Sequence, residues 1–225
     1  ELPFSKTKLN VKIVDDLVSY REMKVRILNG AHTAMVPVAY LAGFRKVKEA
    51  IDDDLIGYFI ASFLVHETIP TLNFSKKVIQ TYIQEVLDRF RNPMVKHQLI
   101  NIALNSTSKF KVRLLPTFKA YYLSHRKLPK YIVFSLSALI LMYKGEFNDE
   151  KIELKDDVKV IDFFTVYWEK YERKEIKINV LVGMVLSNTT IWGEDLTYFE
   201  NLVEKIAKNI ISITQIGVRE TLKKL

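Results

Sequence analysis

The sequence predicts an all-α protein, and three observations carry that prediction. Apolar residues recur at helical spacing, as in Val78, Ile79, Tyr82, Ile83, Val86, Leu87 and Phe90. Ser, Asp or Pro stands where such runs begin (Ser75, Asp157, Pro129), and Gly or Pro where they stop (Gly43, Pro70, Gly145). Apolar and polar residues alternate over residues 9–14, a single short strand or extended linker ended by Asp15 and Asp16.

From there the elements follow in order. A helix is expected over about residues 19–35. Pro37 has no amide hydrogen to give to residue 33, so a break or kink is predicted over residues 33–36. Gly43 would then close a second short helix. Asp52, Asp53 and Asp54 precede the apolar run 55–65. Aspartate at a helix start accepts from free amides and complements the dipole, which favours a cap over a metal site. His66-Glu67 lacks a second His at the metalloprotease spacing and reads as the end of that helix, before Pro70. Ser75 caps a helix to Phe90, and Arg89, Arg91, Asn92 and Pro93 form a turn. Arg91 there is either a surface ion-pair partner or a bidentate carboxylate holder. Pro93 is expected to open a helix reaching Ala103, with His97 on it as a hydrogen-bonded structural residue.

The polar turn Asn105-Ser-Thr-Ser delivers Lys109, Lys111 and Arg113 within five residues, as an exposed helix start or an anion cradle. Pro129 starts an apolar helix through Tyr143, stopped by Gly145. Residues 147–155 form a polar connection, a mobile loop or short hairpin. Asp156 or Asp157 caps a helix to about Lys170. Residues 175–186 form another, Trp192-Gly193 opens a turn, and residues 199–222 make the closing amphipathic helix.

Composition narrows the classes. A chain of 225 residues can bury a sizeable core in one domain. There are no cysteines, hence no disulfide framework and no thiolate metal site, which suits the cytoplasm. The longest apolar run, residues 131–143, is too short for a bilayer and is bracketed by Lys130 and Lys144, so no membrane association is expected. The net charge of +8 comes from 34 basic and 26 acidic residues that are dispersed rather than clustered. A solvated lysine-rich surface is expected, not a nucleic-acid interface. The seven glycines lie too far apart for a dinucleotide-binding GxGxxG or a Walker loop.

The chemistry is expected in residues 20–43. Lys24, Asn29 and His32 are polar groups set among Val25, Ile27, Leu28, Ala31, Met35 and Val36. On a regular helix Asn29 lies about 140° and His32 about 80° from Lys24, so the three fan across one side. An amine, an amide and an imidazole converging there suit carbonyl chemistry. Spacing alone leaves a snorkelling lysine or a satisfied buried polar cluster as alternatives.

The string Lys24-Val-Arg-Ile-Leu-Asn29-Gly-Ala-His32-Thr-Ala resembles the lysine-asparagine-histidine signature of the mannitol dehydrogenase family of metal-independent long-chain dehydrogenases. Further matching strings are Arg89-Phe-Arg-Asn-Pro93, Lys96-His-Gln-Leu, Ile102-Ala-Leu-Asn105, Lys109-Phe-Lys-Val-Arg113-Leu-Leu-Pro116 and Phe134-Ser-Leu-Ser-Ala-Leu-Ile140. The likeness runs to about Leu196. It implies the multi-helical C-terminal substrate-binding domain of a polyol or uronate dehydrogenase, similar to the C-terminal domain of 6-phosphogluconate dehydrogenase. Residues 1–18 would be an extended linker toward a Rossmann-type domain, and 19–225 the helical domain. A chain that starts at Glu1 without Met reads as a piece of a longer protein.

What the resemblance implies for function is concrete. Lys24 would be the general acid in ketone reduction and the general base in alcohol oxidation, with Asn29 and His32 donating to the oxyanion. Desolvation beside other cations, Arg26 and Lys109 among the possible neighbours, would bring the lysine pKa toward neutrality. Lys109 matches the second lysine of the pattern and would bind substrate. Arg113 and Arg91 are further candidates for neutralising a substrate carboxylate. Polyol-reducing members tend to have arginine where Asn101 stands and Asp-Gly-Ser where Asn105-Ser-Thr stands. Those departures fit a uronate-reducing branch that interconverts tagaturonate and altronate with NAD(H) and no metal. Fructuronate/mannonate and mannitol-type chemistries are the siblings. A basic helical module for a polyanion is the rival from another class. Without its cofactor domain, the chain alone is expected to be inactive.

Overall fold

The computed structural model describes residues 3–7, 11 and 13–225. The predicted strand or linker over residues 9–14 therefore lies largely outside the described residues. After a 3-10 turn at Phe4–Lys6, helix α1 (Leu17–Lys24) starts on Asp16, whose carboxylate accepts from the amides of Val18 and Ser19. The helix continues through a π-turn, Val25–Asn29, in which the Gly30 amide donates to Val25 O five residues back. It then runs on as α2 (Gly30–Leu41).

The predicted break before Pro37 does not occur. Pro37 lies inside α2, and Gly43, at φ 96°, ends that same helix rather than a second one. Two features allow this. Ser135 Oγ donates to Ala34 O (3.0 Å) in the stretch that a proline loosens. Helix α2 is also buried along nearly its whole length, so packing outweighs one missing bond.

Helix α3 (Val47–Asp52) is followed by α4 (Asp54–Ser62), capped by Asp53 through the Leu55 and Ile56 amides. A second π-turn, Phe63–Thr68, and a 3-10 turn containing Pro70 end that rod. A Cβ on Gly57 would sit 2.7 Å from Ile51 O, a backbone atom that cannot step aside. Gly57→Ala should therefore cost roughly 1–3 kcal/mol from overpacking, despite alanine's better helix propensity. Urea denaturation would measure it.

Helix α5 (Lys76–Arg91) is capped by Ser75, as the sequence predicted, and buries Ile79, Ile83, Val86 and Phe90. The helix expected from Pro93 shrinks to α6 (Leu99–Ile102). Residues 93–98 are not helical, because their backbone is used elsewhere. Gln98 pairs in a β-bridge with Lys46, Val47 N–H donates to His97 O, and Leu99 N–H donates to Arg45 O. Helix α7 (Ser106–Arg113) is entered through left-handed Asn105, and α8 (Leu115–His125) follows it. Helix α9 (Lys130–Met142) is the central element, with every residue from Tyr131 to Met142 buried.

The polar connection is a hairpin, β1 (Glu146–Phe147) and β2 (Glu150–Lys151), antiparallel. Asn148 and Asp149 both have positive φ, as a two-residue type I′ turn requires. Asp157 rather than Asp156 caps α10 (Val158–Glu172), and α11 (Ile178–Leu186) and α12 (Thr189–Trp192) follow. The last helix, α13 (Leu202–Leu222), is broken at Gly217 (φ 81°, ψ 165°), which the amphipathic pattern did not reveal. Helices α2 and α13 pack on α9, and one continuous apolar core joins them. No described helix is long and apolar enough to cross a membrane.

Candidate functional site

The π-turn changes the geometry of the Lys24, Asn29 and His32 motif. A π-turn adds one residue to a helix without adding a turn, which sets everything after it back by about 100°. Relative to Lys24, Asn29 therefore lies near 40° instead of about 140°, and His32 near −20° instead of about 80°. The three residues form a row along one face. Its exposure is graded: Lys24 is exposed, Asn29 and His32 partly buried.

Lys24 differs from the expectation in one respect. It is not desolvated by this chain, since it ends α1 at the surface. Arg26, one of the cations considered as its neighbour, is drawn off by Glu22 (2.8 Å) and donates to Thr71 Oγ1.

His32 is the buried end of the row. Its ring stacks on Phe90 of α5 (centroids 4.2 Å apart, planes at 29°) and meets the His97 ring edge-on at 6.0 Å. Nε2 is buried and has no hydrogen-bond partner among the described residues. Burial, followed by the charges of His97, Arg113 and Lys109, pushes the imidazole down to about 4. At neutral pH the ring is uncharged and can offer one N–H, and a buried polar atom left free calls for a partner.

The cations come from α7. Lys109 and Arg113 are four residues apart and share a helix face, whereas Lys111 points elsewhere, its Cε 2.8 Å from where a Cβ on Gly193 would stand. Lys109 Nζ donates to Ile102 O (2.9 Å), and Arg113 donates to Thr33 Oγ1 (3.3 Å). Thr33 in turn donates to Asn29 O (2.8 Å), which ties α7 to the motif helix. Burial lowers the pKa of both cations, and Arg113 lowers that of Lys109 further. Neither forms an ion pair among the described residues. Asp156, whose charge partly offsets this on Lys109, is engaged by Thr107 and Tyr143.

Of the predicted residues, Asn29, His32, Lys109 and Arg113 are thus brought together, with Lys24 at the rim. Arg91 is not: it pairs with Asp52 (3.6 Å) on the surface, the commoner fate for such a side chain. Asn101 is exposed. His97 was expected to be a structural helix residue. It is an exposed side chain on the extended segment, with no side-chain hydrogen bond among the described residues. Phe90, the platform under His32, was legible only as a core position of its helix. The string Lys96-His-Gln-Leu was the one signal that could have pointed to His97.

Comparison with known proteins agrees with this architecture. Residues 16–214 match the mannitol dehydrogenase C-terminal domain. Altronate oxidoreductase of Yersinia enterocolitica is 41% identical over 219 residues, 97% of this chain and 45% of the relative. The Escherichia coli O1:K1 altronate oxidoreductase is 41% identical over 225 residues, all of this chain and 47% of the relative. The chain thus spans about half the length of the curated relatives it matches. Among solved structures, Pseudomonas fluorescens mannitol 2-dehydrogenase, in a ternary complex with NAD and D-mannitol, superposes with a TM-score of 0.83 at 24% identity. That match covers 96% of this chain and 42% of the other. A D-sorbitol dehydrogenase in substrate-free form gives a TM-score of 0.76 at 21% identity, covering 94% and 42%. The chain belongs to the mannitol dehydrogenase family, and residues 16–214 are its C-terminal domain.

Proposed function

We propose that this chain is the substrate-binding and proton-transferring half of an NAD-dependent oxidoreductase that interconverts D-tagaturonate and D-altronate. The observation that carries the reading is the meeting of a buried imidazole nitrogen with two half-buried cations, the nitrogen unpartnered and the cations paired with no carboxylate among the described residues. Such a site suits a ligand with a polarised oxygen at one end and a negative charge at the other. The names of the 41% identical relatives suggest which ligand.

Bound nicotinamide supplies or takes the hydride at the carbinol carbon. The glycine spacing of this chain gives no dinucleotide cradle, so a Rossmann-type domain reached through residues 1–18 holds it. Lys24 delivers the proton to the ketone oxygen in reduction and removes it from the alcohol in oxidation. Asn29 and neutral His32 donate hydrogen bonds to that oxygen as charge develops, while Lys109 and Arg113 hold the carboxylate. No metal takes part in this scheme. Because Lys24 is exposed here, the water-poor setting that proton transfer needs comes from substrate and the cofactor domain closing over α1. The 225 residues alone are then inactive.

The test is NADH oxidation by the full-length protein with tagaturonate, fructuronate and fructose as separate substrates. The reading expects tagaturonate to lead in kcat/KM by at least about 100-fold over neutral fructose, the size expected when a site's buried charges lose their partner. A lead by fructuronate would move the assignment to the sibling uronate, a lead by fructose would reject the carboxylate site, and turnover of none would reject the reading.

A further inference from the structure

His97 has no task in the hydride and proton transfer, yet three features make it more than a bystander. First, its ring stands edge-on to His32 at 6.0 Å, and Nε2 of His32 is buried without a hydrogen-bond partner among the described residues. Second, its position is fixed by the backbone and not by its own side chain. Val47 N–H donates to His97 O, Gln98 pairs with Lys46, and Leu99 N–H donates to Arg45 O, so the segment is pinned on both sides of residue 97. The side chain itself is exposed and makes no hydrogen bond among the described residues. A pinned backbone that carries a ring with both nitrogens free puts a donor within reach of an incoming ligand. Third, the ring it meets, His32, feels the charges of both Lys109 and Arg113, whose only partners among the described residues are neutral oxygens.

We propose that His97 is a specificity-determining residue that binds the substrate carboxylate from the solvent side, completing with Lys109 and Arg113 a three-armed cradle that separates uronates from neutral sugars. The inference rests on the uronate reading and deepens it. Lys109 and Arg113 come from α7, while His97 comes from the bridged segment, on the side of His32 that its ring meets. A carboxylate between them would receive donors from two elements, whereas the hydroxymethyl end of a neutral sugar would leave the two half-buried cations uncompensated. His32 ends the Lys24 row and meets the His97 ring, so one ligand can span row and cradle.

The test uses the full-length holoenzyme and the variants His97→Gln and His97→Arg. Since the fold holds residue 97 by main-chain bonds, both variants keep it. His97→Gln should raise KM for tagaturonate roughly 10- to 100-fold, the loss of one contact to a charged group, with kcat changed less than about threefold. The calorimetric Kd for D-altronate should weaken by the same factor, while that for the corresponding alditol stays put. His97→Arg, which restores a donor to the carboxylate, should recover most of the KM. Unchanged KM and altronate Kd in His97→Gln would overturn the inference. So would an equal loss of altronate and alditol binding, or a fall in kcat at constant KM, which would mean that His97 acts only through His32. If the wild-type protein neither turns over tagaturonate nor binds altronate, the uronate reading fails and this inference with it. Normal wild-type turnover with an unaffected variant sinks this inference alone.

Discussion

Replacing Lys24 by alanine in the full-length protein should lower kcat by about 10²–10⁴, the range that positioned general acid–base groups contribute. The large effect is expected because nothing nearby can stand in. Arg26 is occupied by Glu22 and Thr71, Lys109 is held by Ile102 O at the carboxylate end of the site, and His32 is uncharged near neutrality because burial holds it down to about 4. Folding should be untouched, since the Lys24 side chain is exposed and forms no hydrogen bond or ion pair among the described residues. Cofactor affinity, followed by fluorescence of bound NADH, should also be unchanged. Single-turnover rates of NADH oxidation are the measurement, and near-normal rates in the variant would remove the lysine from the chemistry. Asn29→Ala should fall short of this, near the roughly 3 kcal/mol that one oxyanion donor is worth.

The largest effect on stability is expected at Glu67. This side chain is 1% exposed and comes from the second π-turn, yet its two oxygens accept from the Tyr131 and Ile132 amides (2.8 and 2.9 Å) at the start of α9. Pro129, the N-cap of that helix, has no side-chain acceptor, so Glu67, 64 positions before Tyr131, supplies the cap. Glu67→Ala would strand two buried amides and should cost about 3–4 kcal/mol, read from the urea midpoint. Glu67→Gln keeps one acceptor and should cost about half that.

The same pair of buried groups predicts an unusual pH response. Burial raises Glu67 to about 7, against which the two amides and Lys130 pull only partly. Between the ordinary carboxylate value of 4.5 and about 7 the folded chain keeps a proton that the unfolded chain has lost. Its contribution therefore falls as pH rises through that window. His32 does the opposite. Between about 4 and 6.5 the unfolded chain binds a proton that the folded chain refuses, so stability rises with pH there. The two slopes nearly cancel in the wild type. Glu67→Gln removes one of them and should leave stability climbing by up to about 1.4 kcal/mol per unit over the His32 window. A flat profile in that variant would contradict the assignment.

Much of the fold was legible because local signals sufficed. Ser75, Asp53 and Asp157 each accept from amides of the helix they precede, and the unbroken apolar run after Pro129 is buried from end to end. What was not legible depends on partners distant in sequence. Pro37 stays helical where Ser135 supplies a donor nearby, residues 93–98 stay extended because Lys46 claims Gln98, and Glu67 caps a helix that it does not precede. The same division runs through the site. The Lys24, Asn29 and His32 string and the Lys109, Arg113 pair could be read along the chain. The exposure of Lys24, the pairing of Arg91 with Asp52 and the placement of His97 beside His32 could not.

The five-residue turn at Val25–Asn29 has a consequence for how such a protein can change. Removing one amino acid there would restore an ordinary helix, leave α2 seated on its neighbours, and swing Lys24 about 100° around the axis while drawing it about 1.5 Å along. The amine would leave its row, and Met23 and Tyr20, which pack into the core from the same short helix, would turn away with it. A single-codon deletion at this spot is therefore a short mutational path to a catalytically silent descendant that keeps α2 in place and loses the packing of α1 alone.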